Sequence, residues 1–158
     1  MKTPEKTRRR LLQLAGLFGV GAVAVKAQAH HTETHFEDES THKLVYQCNK
    51  ADVDYIDHIL FSIGEMVRTY GDDIEIILAA FGPGLHLLGT RPGGGIKPIQ
   101  QTRVKSLAEY GVAFHACGNT MKSLGWEEID LLDFVKVVPI GVDDLMRLQE
   151  RGFAYVSW

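Results

Sequence analysis

The chain has 158 residues, with 17 Lys and Arg against 20 Asp and Glu, a net charge of −3 with neutral histidines. It lacks the basic surface on which binding to a phosphate backbone depends, which excludes nucleic acid as a partner. Two cysteines are too few for a disulfide scaffold, and neither belongs to a CxxC or zinc-type spacing.

The first residues read as an export signal. Thr7-Arg8-Arg9-Arg10-Leu11-Leu12-Gln13 is similar to the twin-arginine motif. An apolar run rich in Gly and Ala follows over 11–25, shorter than the roughly 20 residues a membrane-spanning helix needs. Ala27-Gln28-Ala29 offers small residues at both cleavage positions, after Lys26. Residues 1–29 are therefore expected to be removed, leaving a periplasmic or otherwise exported product with no membrane anchor. The signal holds most of the basic residues near this end, so the remainder is more acidic than the whole chain. Residues 30–42 are polar, acidic and without hydrophobic period, which predicts a flexible leader. Cleavage after Ala29 would expose the amine and imidazole of His30 beside His31, a pair able to chelate Cu(II); a solvated tail is the plainer reading.

From there strand and helix patterns alternate. Residues 44–48 read as a first strand. Residues 52–70 carry Val53, Ile56, Ile59, Leu60, Ile63, Met66 and Val67 at helical spacing, closed by Gly71. Residues 74–81 are nearly continuous apolar sequence, as in a strand covered on both faces. Residues 82–95 form a Gly-rich loop with room for a short helical turn. A helix is predicted over 98–110, stopped by Gly111, then a strand over 112–116 that ends at Cys117. A short helix over 119–124 closes at Gly125. A fourth strand (134–140), a helix (142–151) and a last strand (153–156) complete the chain. The pattern predicts one α/β domain over 43–158: a three-layer sandwich with a five-stranded, mainly parallel sheet and helices on both faces.

Several cofactor motifs are absent. Gly82-Pro83-Gly84-Leu85-His86-Leu87 lacks the third glycine of a dinucleotide fingerprint. The turn Asn49-Lys50-Ala51-Asp52 lacks the small polar run of a flavin phosphate loop. No Walker loop or nucleophile elbow is present.

Reactive groups in parallel sheets collect at the carboxyl ends of strands. Cys117 ends one strand and precedes Gly118-Asn119-Thr120 at a helix start. Helix-terminal N–H groups there favour a thiolate; Asn119 or Thr120 can cap, Gly118 leaves the sulfur approachable, and Lys122 adds charge one turn on. A buried structural thiol is the competing reading. Cys48 ends the first strand, and whether it approaches Cys117 closely enough for a disulfide depends on strand order, which stays open. His115 shares a strand face with Cys117, and His86 lies in the Gly-rich loop. Together with Cys48 these residues are candidates for a soft copper or zinc site, with ordinary core or surface histidines as the plainer alternative.

The stretch Gly111-Val112-Ala113-Phe114-His115-Ala116-Cys117-Gly118-Asn119-Thr120-Met121 resembles the DsrE/DsrF-like family of small sulfur-handling proteins. Gly141-Val142 and the run from Arg147 to Tyr155 are similar to that family's closing helix and strand. The resemblance covers most of 43–158 and is weakest over 82–95. It implies a three-layer α/β fold, a homo-oligomer (trimer or hexamer), and a strand-end cysteine that carries sulfur as a persulfide. Cys117 inherits that role, with Asn119 and Thr120 steadying the anion and a sulfur donor or acceptor protein as partner. The expected function is sulfur carriage or transfer; the alternatives are a non-catalytic oligomeric module binding copper, zinc or a small ligand, and a structural partner in a larger assembly.

Overall fold

Alternating apolar runs place five strands side by side. β1 (His42–Cys48), β2 (Ile74–Ala80), β3 (Ala113–Cys117), β4 (Lys136–Val138) and β5 (Ala154–Val156) form one sheet in the order β4-β3-β2-β1-β5, and every neighbouring pair is parallel. This is a computed structural model, and it describes residues 40–158. The expected signal and residues 30–39 of the expected leader, including His30 and His31, lie outside the described residues; the leader's last residue, His42, is instead the first residue of β1.

Parallel neighbours need crossover connections, and four helices supply them: α1 (Val53–Tyr70), α2 (Pro98–Glu109), α3 (Gly118–Leu124) and α4 (Gly141–Glu150). Side chains of a strand alternate between faces. On central β2, Ile76, Leu78 and Ala80 join Ile56, Ile59 and Ile63 of α1 and Val104 and Leu107 of α2 in one core. Ile77 and Ala79 point the other way, onto Leu145 and Leu148 of α4, with Val45 and Phe153. The three-layer α/β sandwich expected from the sequence is the observed fold.

Local chemistry fixes the element ends. The Asp52 side chain caps α1 by accepting the Tyr55 N–H at 2.9 Å. Gln100 of α2 is fully buried and donates to the Val53 carbonyl and the Asp57 carboxylate, tying α2 to the start of α1. Residues of the predicted Gly-rich loop open as a 3₁₀ helix, Gly82–Leu88. This turn lies so close to the end of β1 that a Cβ on Gly84 would come within 2.3 Å of the Cys48 carbonyl oxygen.

Most boundaries shift by a residue or two from the sequence expectation, and two of the differences bear on the site. β4 has three residues, not the seven of 134–140. Phe134 lies in a turn and packs edge-on against Phe114, and Pro139 has no N–H with which to extend the ladder. α3 starts at Gly118, one residue early, because Cys117 itself occupies the N-cap position.

Candidate functional site

The strand order sets the site. Cys117 pairs with Val138 of β4, and Ala116 with Ala80 of β2. On β3, Phe114 and Ala116 belong to the core under α1 and α2, so His115 and Cys117 face α4. The sulfur of Cys117 accepts a hydrogen bond from the Gly141 N–H at 3.2 Å, at the first residue of α4. Glycine eases this approach: a Cβ at position 141 would crowd the Cys117 Cβ and the Phe81 ring, each at 3.1 Å.

Thr120 completes the cradle. Its hydroxyl oxygen accepts the Gly82 N–H at 3.0 Å, which leaves its own proton for the sulfur. Burial is the largest influence on the Cys117 thiol and pushes its pKa up. The Thr120 hydroxyl and amide, with the Gly141 and Asn119 amides, outweigh burial and hold the thiol below its ordinary value of 9.0. No side chain caps α3 in the resting state; the amides of its first turn gain a full partner as the thiol ionises. Cys117 is buried, at 6 % exposed.

Cys48 has the opposite environment. It is 0 % exposed, and its sulfur makes only a long contact of 3.9 Å to the Gly84 carbonyl, an acceptor that offers a thiolate nothing. Burial pushes its pKa up to about 12. The open question of a disulfide is answered by topology. β1 and β3 both flank β2, so the two residues stand two strand spacings apart, roughly 9–10 Å. They also face opposite layers, and both are free thiols.

The other expected site residues separate. His115 is buried and donates Nδ1–H to the Asp144 carboxylate of α4 at 2.7 Å. His86 packs edge-on against Trp126, with ring centroids 5.2 Å apart, and against Gly93 and Gly94. It lines a cleft of about 310 Å³ with Arg91, Trp126 and Asp130. Cys48, His86, His115 and Cys117 therefore do not converge, and no group of three or more metal-ligating side chains is found among the described residues.

Of the residues expected around the sulfur, two are placed more closely and one, Lys122, changes role. Gly118 also serves the packing of β3 on β4: a Cβ there would lie 3.2 and 3.4 Å from the Val138 and Pro139 carbonyl oxygens. Asn119 acts through its backbone amide, while the residue itself is exposed. Lys122 is exposed and is not among the groups that stabilise the sulfur. Gly141 and Asp144 were not legible as site residues. The one sequence signal was a glycine placed just before a predicted helix.

The family model described as the DsrE/DsrF-like family matches residues 42–158. No curated protein matches the chain significantly. Among solved structures, a protein of unknown function, MTH1491 from Methanobacterium thermoautotrophicum, is 25% identical with a TM-score of 0.67, over 74% of this chain and 99% of that one. The ychN protein from E. coli is 18% identical with a TM-score of 0.57, over 74% and 99% of the two chains. A conserved protein of unknown function, BT1422 from Bacteroides thetaiotaomicron, is 19% identical with a TM-score of 0.55, over 73% and 94%.

The buried Cys48 thiol predicts a pH signature. Unfolded, Cys48 loses its proton near 9.0; folded, only near 12. Below pH 9 both states hold the proton and the contribution is complete. Above it the unfolded chain binds fewer protons, so stability falls as pH rises toward 12, by about 1.4 kcal/mol per pH unit at most. Urea unfolding between pH 8 and 11 should show the wild type losing stability faster than Cys48→Ala; parallel curves would contradict the assignment.

Proposed function

Because the chain belongs to the DsrE/DsrF-like family, we propose that it carries sulfur as a persulfide on Cys117. The observation that carries this reading is the Gly141 N–H on the Cys117 sulfur at 3.2 Å, in a site that favours the anion despite burial. A thiolate is the nucleophile in sulfur exchange, and a persulfide leaves another anion to be stabilised in the same place. Cys48, of the same residue type at another strand end, lacks every one of these donors.

The chemistry needs no outside oxidant. The Cys117 thiolate attacks the outer sulfur of a donor persulfide. The donor's S–S bond breaks, and its electron pair leaves with the donor thiolate. The new bond is Cys117 S–S. An acceptor thiolate then attacks that outer sulfur and restores the Cys117 thiolate, so each step exchanges one S–S bond for another. The Gly141 and Thr120 donors serve both the attacking thiolate and the leaving one.

Intact-mass measurement tests the carrier directly. Reduced protein treated with polysulfide should gain about 32 Da, reversibly under reductant, as thiol–disulfide-type exchange requires. Cys117→Ser should abolish the adduct and Cys48→Ser should keep it. An adduct on Cys48 alone would refute the residue assignment. No adduct, with copper or zinc retained in stoichiometric amount, would favour the binding-module reading.

The proposal includes a homo-oligomer. Ile140 and Val142 flank the Gly141 donor, Met146 follows one turn on, and all three are exposed apolar side chains. Light scattering at micromolar concentration should give a multiple of the monomer mass; a monomer would remove this part of the proposal.

Export by the twin-arginine route belongs to the same proposal and rests on Arg8, Arg9 and the apolar run after them. Arg8→Lys with Arg9→Lys should halt the appearance of the processed band in the periplasm. Undiminished processed protein would refute the route.

A further inference from the structure

The cradle around Cys117 depends on where α4 begins, and one buried pair outside the cradle determines that. His115 and Cys117 are two residues apart on β3 and share a face. Asp144 and Gly141 are three residues apart in the first turn of α4, which the Asp144 N–H closes on the Ile140 carbonyl at 3.0 Å. Each strand residue meets one helix residue: Cys117 Sγ accepts from Gly141, and His115 Nδ1–H donates to Asp144 at 2.7 Å. The second bond is shielded, with the His115 and Asp144 side chains 7% and 16% exposed, so water competes for it poorly.

We infer that Asp144 is a positioning residue for Cys117: by accepting the hydrogen bond of His115 it pins the first turn of α4 to β3 and so holds the Gly141 N–H on the sulfur. The Gly141 contact cannot set this distance by itself. A glycine at a helix start is free to slide, and the 3.1 Å space it leaves beside Cys117 and Phe81 limits approach without preventing retreat. Ile140 and Val142 on either side are exposed and supply little packing. The His115–Asp144 bond is the directional restraint within that turn.

The other groups around the pair do not substitute for it. Asp143 of α4 is engaged by Arg147 at 2.7 Å on the surface. Lys136 of β4, beside His115 in the register, is exposed. β2 contributes Ala79 in register with His115, and the adjoining Phe81 ring lies against Gly141. α3 contributes Thr120 and Asn119, both uncharged.

The proposal has a sign that separates it from simple charge repulsion. A carboxylate near a sulfur disfavours the thiolate, so removing its charge alone would lower the thiol's pKa. Removing the restraint raises it, because the Gly141 donor drifts away. Asp144→Ala removes both charge and acceptor. Asp144→Leu does the same at larger side-chain volume and serves if the alanine variant does not fold. Asp144→Asn removes the charge but keeps an oxygen that can accept Nδ1–H.

The inference takes Cys117 as the working group of the proposed function, but its readout needs no sulfur donor. Iodoacetamide alkylation of Cys117, followed by peptide mass, gives a rate against pH for the full mature protein. Asp144→Ala and Asp144→Leu should move the midpoint up and slow the reaction at neutral pH by about three- to tenfold, a tenfold change corresponding to one pKa unit. Asp144→Asn, which loses the charge and keeps the restraint, should hold the midpoint at the wild-type value or below it. A midpoint that is unchanged or lower in Ala and Leu, or that rises as far in Asn, overturns the inference. Sulfur carriage can fail while this profile holds, so the two proposals fail separately.

Discussion

An amide N–H aimed at a sulfur matters little to a thiol and much to a thiolate, and the Gly141–Cys117 contact is that interaction here. It joins the end of β3 to the start of α4, two elements separated by 24 positions in the chain. Glycine at 118 and at 141 leaves room for it: a Cβ at either position would crowd the Val138 and Pro139 carbonyls or Cys117 and Phe81. β2 must lie between β1 and β3, so that Phe81 and Gly82 reach the sulfur's surroundings while Cys48 does not. The glycines and the strand order serve one contact.

The two cysteines form an internal comparison. Both end parallel strands, both are buried, and desolvation is the largest influence on each. Burial alone gives Cys48, a thiol held protonated up to about 12. Cys117 differs in having donors aimed at its sulfur, from Thr120, Gly141 and Asn119, and their sum reverses the direction. Donors fixed by the fold need no reorganisation when charge appears, so a buried sulfur among them can still favour its anion.

Much of this was legible in the sequence, for identifiable reasons. The run Ile74–Ala80 is apolar throughout because both its faces are covered, and that pattern marks a central parallel strand. Helical spacing from Val53 with Asp52 before it located α1. The strand that stops at Cys117 before a helix located the thiol whose pKa is lowered. Strand order was not legible, since periodicity reports an element and not its neighbour, and so the question of a Cys48–Cys117 bond stayed open. The packing role of Gly118 was not legible for a related reason: a glycine signals close approach without saying of what, and the end of β4 is one such neighbour. Asp144 looked like any solvated carboxylate on an acidic helix, and only the packing of α4 on β3 gives it His115 as a partner.

The central claim is that folding, not burial, decides the charge of Cys117. Ultraviolet thiolate absorbance against pH, recorded on folded Cys48→Ser protein, measures that charge on one sulfur with no donor, partner or reagent involved. The account predicts half-ionisation of Cys117 below the ordinary 9.0, and a shift upward when the same protein is unfolded in urea. Half-ionisation at or above 9.0 in the folded protein would contradict it.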